Sequence, residues 1–421
     1  MDVSIIGGAG HVGLPLGLVL ADSGHDVTLV DTDCDKLETI RQGTLPFYEP
    51  GAEALLQSAL ETGRLTCTDR MDAVRDSSAV VFVLGTPIDE HHNPQMEGLL
   101  EVVDESVPHL SPGDLLVFRS TVYPGMTHRV RDLLADRGLT VGEDVYLSFA
   151  PERIAQHKAI EEIRSLPQLV GAFDDESYER TVELFDSVVD RCLRLTPTEA
   201  ELGKLFTNMW RYLTFAAANE FHLIAESFAK QYDVNIHRIL DTTSEDYPRF
   251  DVPSPGANVG GPCLTKDGWF LIDNIPYNEL VSASYQINEG MPAQIVNRML
   301  DMRPGPEKIA VLGMTFKANS DDTRNSVSFK MRKQLRMRGF ERVVEVEPNV
   351  EGYDSLADIE DSDWVILMTP HDEFRDFDRI TDLVGNDDCL YCDLWGAWEP
   401  MRYDSANGYF YGYEYEEVTA R

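Results

Sequence analysis

Cysteine is scarce in this sequence, six in 421 residues and scattered, which leaves no material for a disulfide framework and fits a reducing compartment. Cys389 and Cys392 make a CxxC, but in a strand an offset of three sends the two side chains to opposite faces, so shared metal or redox work is not expected and no metal site is assigned. Missing too is any apolar run near the ~20 residues that cross a bilayer, and the N-terminus enters a strand-like run with no basic segment or cleavage site. A cytoplasmic protein is expected. Positive charge is short: 36 Lys and Arg stand against 73 Asp and Glu, a formal charge of −37, and arginine supplies most of the positive share. The acid lies in short clusters such as Asp321-Asp322 and Glu360-Asp361 and reads as solvated surface. Such a field repels nucleic acid and anionic membranes and suits a salt-rich medium that screens self-repulsion, so a halophilic source is expected. An anionic small molecule still fits where cations gather, which singles out Lys204, Lys266 and Lys317.

The length implies two or three domains with ordinary apolar content. Val3 to Ile6 form an apolar run that breaks into Gly7-Gly8-Ala9-Gly10-His11-Val12-Gly13, a helical stretch follows to Asp22, and Val27 to Val30 read as a second strand ending at Asp31. Strand, GxGxxG at Gly8, Gly10 and Gly13, helix, strand and acidic residue together form a dinucleotide-binding unit. The glycines let the backbone reach a pyrophosphate at the helix N-terminus, and Asp31 takes ribose hydroxyls, favouring NAD over NADP. A structural turn in another α/β unit is the alternative.

Further strands at Ala79 to Leu84, Leu115 to Phe118 and Val145 to Phe149 end in Gly85-Thr86-Pro87, Arg119-Ser120-Thr121-Val122 and Ala150-Pro151-Glu152-Arg153. In an open parallel sheet these loops gather at the ligand. Glu152 is a candidate base there, or else a solvated glutamate; His91 and His92 receive no site. From Thr198 to Gln231 a long helix is expected, started by Pro197 and bridging two domains. Lys204 and Asn208 share one of its faces, either with the lysine snorkelling to water or as a cation aimed at a developing oxyanion. Its aromatic and alanine positions fit core or subunit interface, so a homodimer or higher homo-oligomer is expected. Lys308 to Met314 open a second Rossmann-like pattern whose loop, Thr315-Phe316-Lys317, lacks the remaining glycines; Lys317 and Arg324 suit phosphates.

One stretch organises the rest: Asn258-Val259-Gly260-Gly261-Pro262-Cys263-Leu264-Thr265-Lys266-Asp267. Gly260, Gly261 and Pro262 predict a tight bend, and the residues after Cys263 read as the opening of a helix. A helix N-terminus and nearby Lys266 would favour a nucleophilic thiolate, with Asp267 four residues on to orient it or take a proton. The alternative is a small apolar residue in a structural turn.

Taken in order, these motifs, with Glu201-Leu202-Gly203-Lys204 and Asp322-Thr323-Arg324, resemble the nucleotide-sugar 6-dehydrogenase family, which includes UDP-glucose and UDP-N-acetylmannosamine dehydrogenases. The resemblance implies an α/β fold of two Rossmann-like parallel-sheet domains joined by a central helical domain with one long helix. We set the domains at 1–196 for NAD, 197–300 for the helical part with the cysteine loop, and 301–421 for the UDP-sugar. The implied reaction oxidises the sugar C6 alcohol to a carboxylate with two NAD⁺, through a Cys263 thiohemiacetal and thioester. In it Glu152 and Asp267 help activate water, Lys204 and Asn208 stabilise the oxyanion, and Thr121 holds the reacting centre. Gly8, Gly10, His11, Val12, Gly13, Asp31, Lys36, Thr86, Ser120 and Arg324 match cofactor positions. Arg249, Asn258, Val259, Gly260, Phe316 and Lys317 match substrate positions. Gln156 stands where UDP-glucose enzymes tend to carry a second glutamate, and Arg153 after Pro-Glu and the run Pro-Cys-Leu-Thr-Lys-Asp-Gly-Trp-Phe resemble the N-acetylhexosamine branch, so the preference leans slightly to a UDP-N-acetylhexosamine over UDP-glucose; that branch's usual Pro-Gly after Pro-Glu-Arg is absent, and Trp395 stands where an arginine is often found. Surface polysaccharide synthesis is the implied context. A two-electron hydroxyacid-type dehydrogenase explains Lys204 and Asn208 but leaves Cys263 idle, and a non-catalytic nucleotide-binding protein leaves the whole polar set idle.

Overall fold

The structure, a computed structural model, describes residues 1–86, 89, 95–229, 231–272, 275–399, 402 and 410–411; His91, His92 and Pro87 lie outside them. The chain divides into two compact units, Met1–Thr207 with Trp269–Asn274, and Asn208–Gly268 with Ile275–Arg421.

The first unit is built on strands β1 (Asp2–Ile6), β2 (Asp26–Val30), β3 (Leu65–Thr68), β4 (Ala79–Phe82), β5 (Leu115–Phe118), β6 (Tyr146–Phe149), β7 (Gln168–Ala172) and β8 (Cys192–Leu195). They form one sheet in the order β3-β2-β1-β4-β5-β6-β7-β8, parallel except where β7 runs against β6. The central strands are unbroken apolar runs such as Ala79-Val80-Val81-Phe82, buried on both faces, as a parallel sheet covered by helices requires. Alternate residues feed two cores: Ile5, Leu29, Val81 and Val117 meet the Gly13–Asp22 helix on one side, while Ile6, Val80, Phe82 and Phe118 pack on the other. The strand order reverses between β1 and β4, so the crevice beyond their carboxyl ends is where a ligand belongs.

The second unit carries β9 (Ile309–Leu312), β10 (Val343–Val346), β11 (Trp364–Leu367), β12 (Leu390–Cys392) and β13 (Phe410–Tyr411), in the order β10-β9-β11-β12-β13, all parallel except β13. Its order reverses between β9 and β11. Cys389 and Cys392 are buried in different cores, one on each side of this sheet, and burial pushes the Cys389 thiol up to about 12. The expected offset of the CxxC is what separates them.

The long helix spans Pro197–Ala229, 33 residues, and the division between the units falls within it, at Thr207 and Asn208. A second long helix, Glu279–Met302, is unexpected from the sequence, because Gly290 and Pro292 inside it read as breakers. The α/β class, the two mostly parallel sheets and the long helix are as expected. No helix among the described residues is long and apolar enough to cross a membrane.

Candidate functional site

In the first unit the glycine loop follows β1 at the point where strand order reverses. Gly7 holds φ +80°, and a Cβ there would run into the Val83 carbonyl just beyond β4. Gly8 lies against Leu29, whose Cβ would be 2.8 Å from a Gly8 methyl, and a methyl on Gly13 would collide with the Gly7 carbonyl. Gly10 differs: the nearest atom to a methyl there is the Gly7 oxygen at 3.6 Å, an ordinary contact. The protein itself does not need Gly10 bare, so the space above it suits a pyrophosphate approaching the Gly13–Asp22 helix.

Asp31 ends β2 and accepts from Ala9 N at 2.9 Å through one oxygen and from Asp33 N at 3.0 Å through the other. It ties the glycine loop to the second strand as well as standing where ribose is expected, a role the sequence reading missed. Lys36 pairs with Asp33 at 2.9 Å, out in solvent. Val12 caps the helix, and His11 lies over Phe47 with ring centroids 4.0 Å apart and Nδ1 3.4 Å from Gln156 Nε2. Ser120 Oγ, after β5, accepts from Leu84 N at 2.7 Å, so the loops after β4 and β5 are pinned together beside buried Thr86. Thr121 follows, half-buried.

Glu152, after β6, is not the solvated glutamate of the alternative reading. It is buried, forms an ion pair with buried Arg119, and accepts from the backbone N–H of Arg153 at 2.7 Å and Ile154 at 2.9 Å. Burial alone would raise its pKa; Arg119, the backbone N–H of Ile154 and the charge of Lys204 outweigh burial and hold the carboxyl below its usual range. Lys204 is itself buried on the long helix, which disposes of snorkelling to water. One turn earlier, Glu201 accepts from Gly125 N, Thr127 N and Thr127 Oγ1 at 2.6–2.8 Å and so caps the Met126–Asp136 helix.

In the second unit Asn208 Nδ2 donates to Asp267 Oδ2 at 2.7 Å, and Lys266 Nζ meets Asp267 Oδ1 at 3.1 Å; Asp267 is buried. The expected helix after Cys263 is shorter and later than the sequence reading had it. Residues 262–268 form consecutive turns, in which Lys266 N and Asp267 N donate to the Cys263 carbonyl at 3.1 and 2.9 Å, and the helix proper is only Trp269–Ile272. Gly268, just before the helix, is closely packed: a methyl there would meet the Met209 sulfur at 2.6 Å. Cys263 is exposed, against the reading of a buried turn residue. Lys266 pairs with Asp267, and Arg324 feels the charge of Cys263: hydrogen bonds to Asp322 first, then charges that include Cys263, hold Arg324 above its ordinary value. Arg324, assigned from sequence to the cofactor, is forked on Asp322 through Nε and Nη2, at 2.6–3.1 Å.

The glycine pair works by close approach. A methyl on Gly260 would be 2.6 Å from the Asn325 carbonyl, and Gly261, at φ +102°, lies under the Phe316 ring, 2.8 Å from where its methyl would be. Asn258 is more committed than a substrate contact allows. Its Nδ2 lies within 2.8–3.1 Å of Thr315 O, Ser326 Oγ, Ser328 Oγ and Thr369 Oγ1, and its Oδ1 accepts from Val327 N at 2.7 Å. Two amide hydrogens face four acceptors, so the side chain has none left to offer and only the backbone remains for a ligand. Val259 is buried beside it, and Lys317 is half-buried after β9. Arg249 is exposed, its guanidinium 4.8 Å from the Tyr247 ring centre. Among the described residues no cluster of His, Cys, Asp and Glu could hold a metal ion.

The chain matches, in order, three models of the UDP-glucose/GDP-mannose dehydrogenase family: the NAD binding domain over residues 1–189, the central domain over 198–290 and the UDP binding domain over 310–400. UDP-N-acetyl-D-mannosamine dehydrogenase of Pyrococcus horikoshii is 31% identical over 386 residues, covering 89% of this chain and 90% of its own. NDP-N-acetyl-D-galactosaminuronic acid dehydrogenase of Ralstonia nicotianae is 28% identical, covering 95% and 97%. The solved structure of UDP-D-ManNAc dehydrogenase from Pyrococcus horikoshii superposes with a TM-score of 0.83 at 30% identity, over 91% of this chain and 93% of that one. With a glycine loop shaped for NAD in the first unit and a UDP binding domain in the second, the chain belongs to the UDP-glucose/GDP-mannose dehydrogenase family of NAD-dependent nucleotide-sugar oxidoreductases.

Proposed function

We propose that the protein oxidises the C6 alcohol of a UDP-sugar to the carboxylate in two successive two-electron steps, with Cys263 as the covalent nucleophile. The observation that carries this is the second unit's constellation: an exposed thiol whose charge is felt by Arg324, with Asp267 one turn on, anchored by Asn208 and Lys266. NAD⁺, when bound, would supply the hydride acceptor for each oxidation. The Cys263 thiolate adds to the aldehyde carbon left by the first oxidation, and its C–S bond persists through oxidation of that thiohemiacetal to a thioester. Water then cleaves the thioester, returning the thiol and releasing the acid. Lys204 and Asn208 donate to the developing oxyanion, and Thr121 holds the reacting centre. Asp267 takes the proton of the attacking water. Glu152, held ionised by Arg119, accepts a hydrogen bond and orients that water more than it removes a proton. Arg249, Lys317, Phe316 and the backbone of 258–260 take the UDP-sugar, while Asp31, Lys36, Thr86 and Ser120 take the cofactor.

The substrate reading leans to a UDP-N-acetylhexosamine of the N-acetylmannosamine type, in line with Gln156 in place of a second glutamate and with the activities named for the relatives above. We further propose that the protein works as a homo-oligomer. Phe221, Ile224, Phe228, Tyr232 and Ile239 wall a groove of about 480 Å³ and are 38–64% exposed. An acidic chain would leave so apolar a face open only where a second copy covers it.

NADH counted per UDP-sugar consumed, over a panel of sugars at high salt, tests the reaction. Two NADH with a UDP-N-acetylhexosamine and a Cys263→Ser variant slowed by at least about 10³-fold are expected. One NADH per sugar, or full activity without the thiol, would sink the covalent mechanism; two NADH with UDP-glucose alone would move the substrate and leave the mechanism standing.

A further inference from the structure

The loop that carries Cys263 runs from the end of the Ile236–Ser244 helix to Trp269, and within it Gly256 is pressed against an aromatic residue far away in sequence. A methyl on Gly256 would run into the six-membered ring of Trp395, which leaves β12 at the carboxyl edge of the second sheet. The indole cannot simply swing aside, because its Nε1 donates to the Met368 carbonyl, just beyond β11, at 2.8 Å. On its other side Gly256 donates its N–H to Asn219 Oδ1 at 2.8 Å, and Asn219 Nδ2 donates to Asn288 Oδ1 at 2.9 Å. Both asparagines are fully buried, on the two long helices. Downstream, Ala257, Asn258 and Val259 are buried without interruption, Asn258 is clamped as described, and four residues after Val259 comes Cys263. The buried stretch of the loop before Cys263 is therefore held at Gly256 between a ring fixed to the sheet and an amide fixed to the helices. A buried segment held at that end has little freedom to shift the exposed residue at the other.

We infer that Trp395 and Gly256 form a latch that positions the Cys263 loop, Trp395 acting as a positioning residue through Gly256. The latch matters for catalysis only if Cys263 is the nucleophile, as proposed above. Its geometry, however, can be read without turnover. Substituting Trp395→Ala empties the place of the ring, Trp395→Phe keeps a ring over Gly256, and Gly256→Ala pushes the loop off the ring while removing nothing.

The experiment is the alkylation of the full-length protein by iodoacetamide under native conditions, with the rate at Cys263 divided by the rate at exposed Cys34, which lies in the first unit and serves as internal reference. Trp395→Ala and Gly256→Ala are expected to change that ratio at least threefold and to lower kcat at least tenfold with the KM for NAD⁺ unchanged, and Trp395→Phe to recover most of both. Should Trp395→Ala fail to fold, Gly256→Ala carries the test alone. An unchanged Cys263/Cys34 ratio in a folded Gly256→Ala variant overturns the latch whatever the activity does. A changed ratio with unchanged turnover keeps the latch as a geometric device and instead overturns the role of Cys263 proposed above.

Discussion

Glu152 is a carboxylate out of reach of most water and kept ionised first by the Arg119 guanidinium, then by the Ile154 N–H and the charge of Lys204. Arg119, itself 2% exposed, has no other carboxylate among its hydrogen-bond partners in the described residues; its further bonds there run to the Ala150 carbonyl and to Gln168. Replacing Arg119 by methionine leaves a buried charge without its partner, and the expected loss is about 3–5 kcal/mol of unfolding free energy, measurable by urea denaturation at pH 7. The carboxyl then moves above its ordinary range, so the remaining activity of Arg119→Met should rise with pH where the parent's is flat. This ion pair was not legible in the sequence. Arg119 appears there as the first residue of a strand-end run, 33 residues from Glu152, and only parallel pairing of β5 with β6 brings the two ends side by side. The glycine loop, Asp31, Lys204 and Cys263 could be found from sequence because each sits in a local pattern with a fixed spacing. Asn258 could not be weighed properly, since its partners come from three later segments.

At the scale of elements, the helix Ile236–Ser244 carries a second set of buried titratable groups. His237 is fully buried against Gly396, and no hydrogen-bond partner for either ring nitrogen exists among the described residues; burial first, then the charge of Arg402, lowers its pKa to about 4. His222, on the long helix, is lowered to about 3, by burial and then by His237. Both are neutral when folded and titrate near 6.5 when unfolded, so their contribution to stability is full above that value and drains away as pH falls from 6.5 towards 4. Urea midpoints measured from pH 7.5 to 4.5 should fall over that window, and a His237→Gln variant should flatten the fall relative to the parent. The central strands of both sheets were readable as apolar runs. Strands β3, β8 and β10 were not, because each is only four residues long with a partly exposed burial pattern, too short for its apolar residues to set a period that separates strand from loop.

For the whole molecule the dominant quantity is the formal charge of −37. At low ionic strength that charge repels itself across the surface, and the repulsion fades once the screening length drops to a few ångströms. The melting temperature is therefore expected to climb as KCl is raised into the molar range, and a protein equally folded and active without added salt would remove the case for a halophilic source. Light scattering at the same salt should show more than one copy, and Phe228→Glu in the apolar groove should shift it towards the monomer. The α/β class and the two sheets followed from sequence because strand and loop signals repeat along the chain. The position of the division, inside one unbroken helix, had no local signal.

The clamp made by Asn258 has a stoichiometric consequence. Its amide fills the hydrogen-bonding groups at the ends of β9 and β11, the place where strand order reverses and where a dinucleotide would be received. The second sheet has thus given the place of a dinucleotide to the protein's own chain, leaving the backbone of 258–260 with Phe316 and Lys317 for the UDP-sugar proposed above. A calorimetric titration with NAD⁺ should saturate at one equivalent per chain, although the molecule contains two sheets of the kind that bind it.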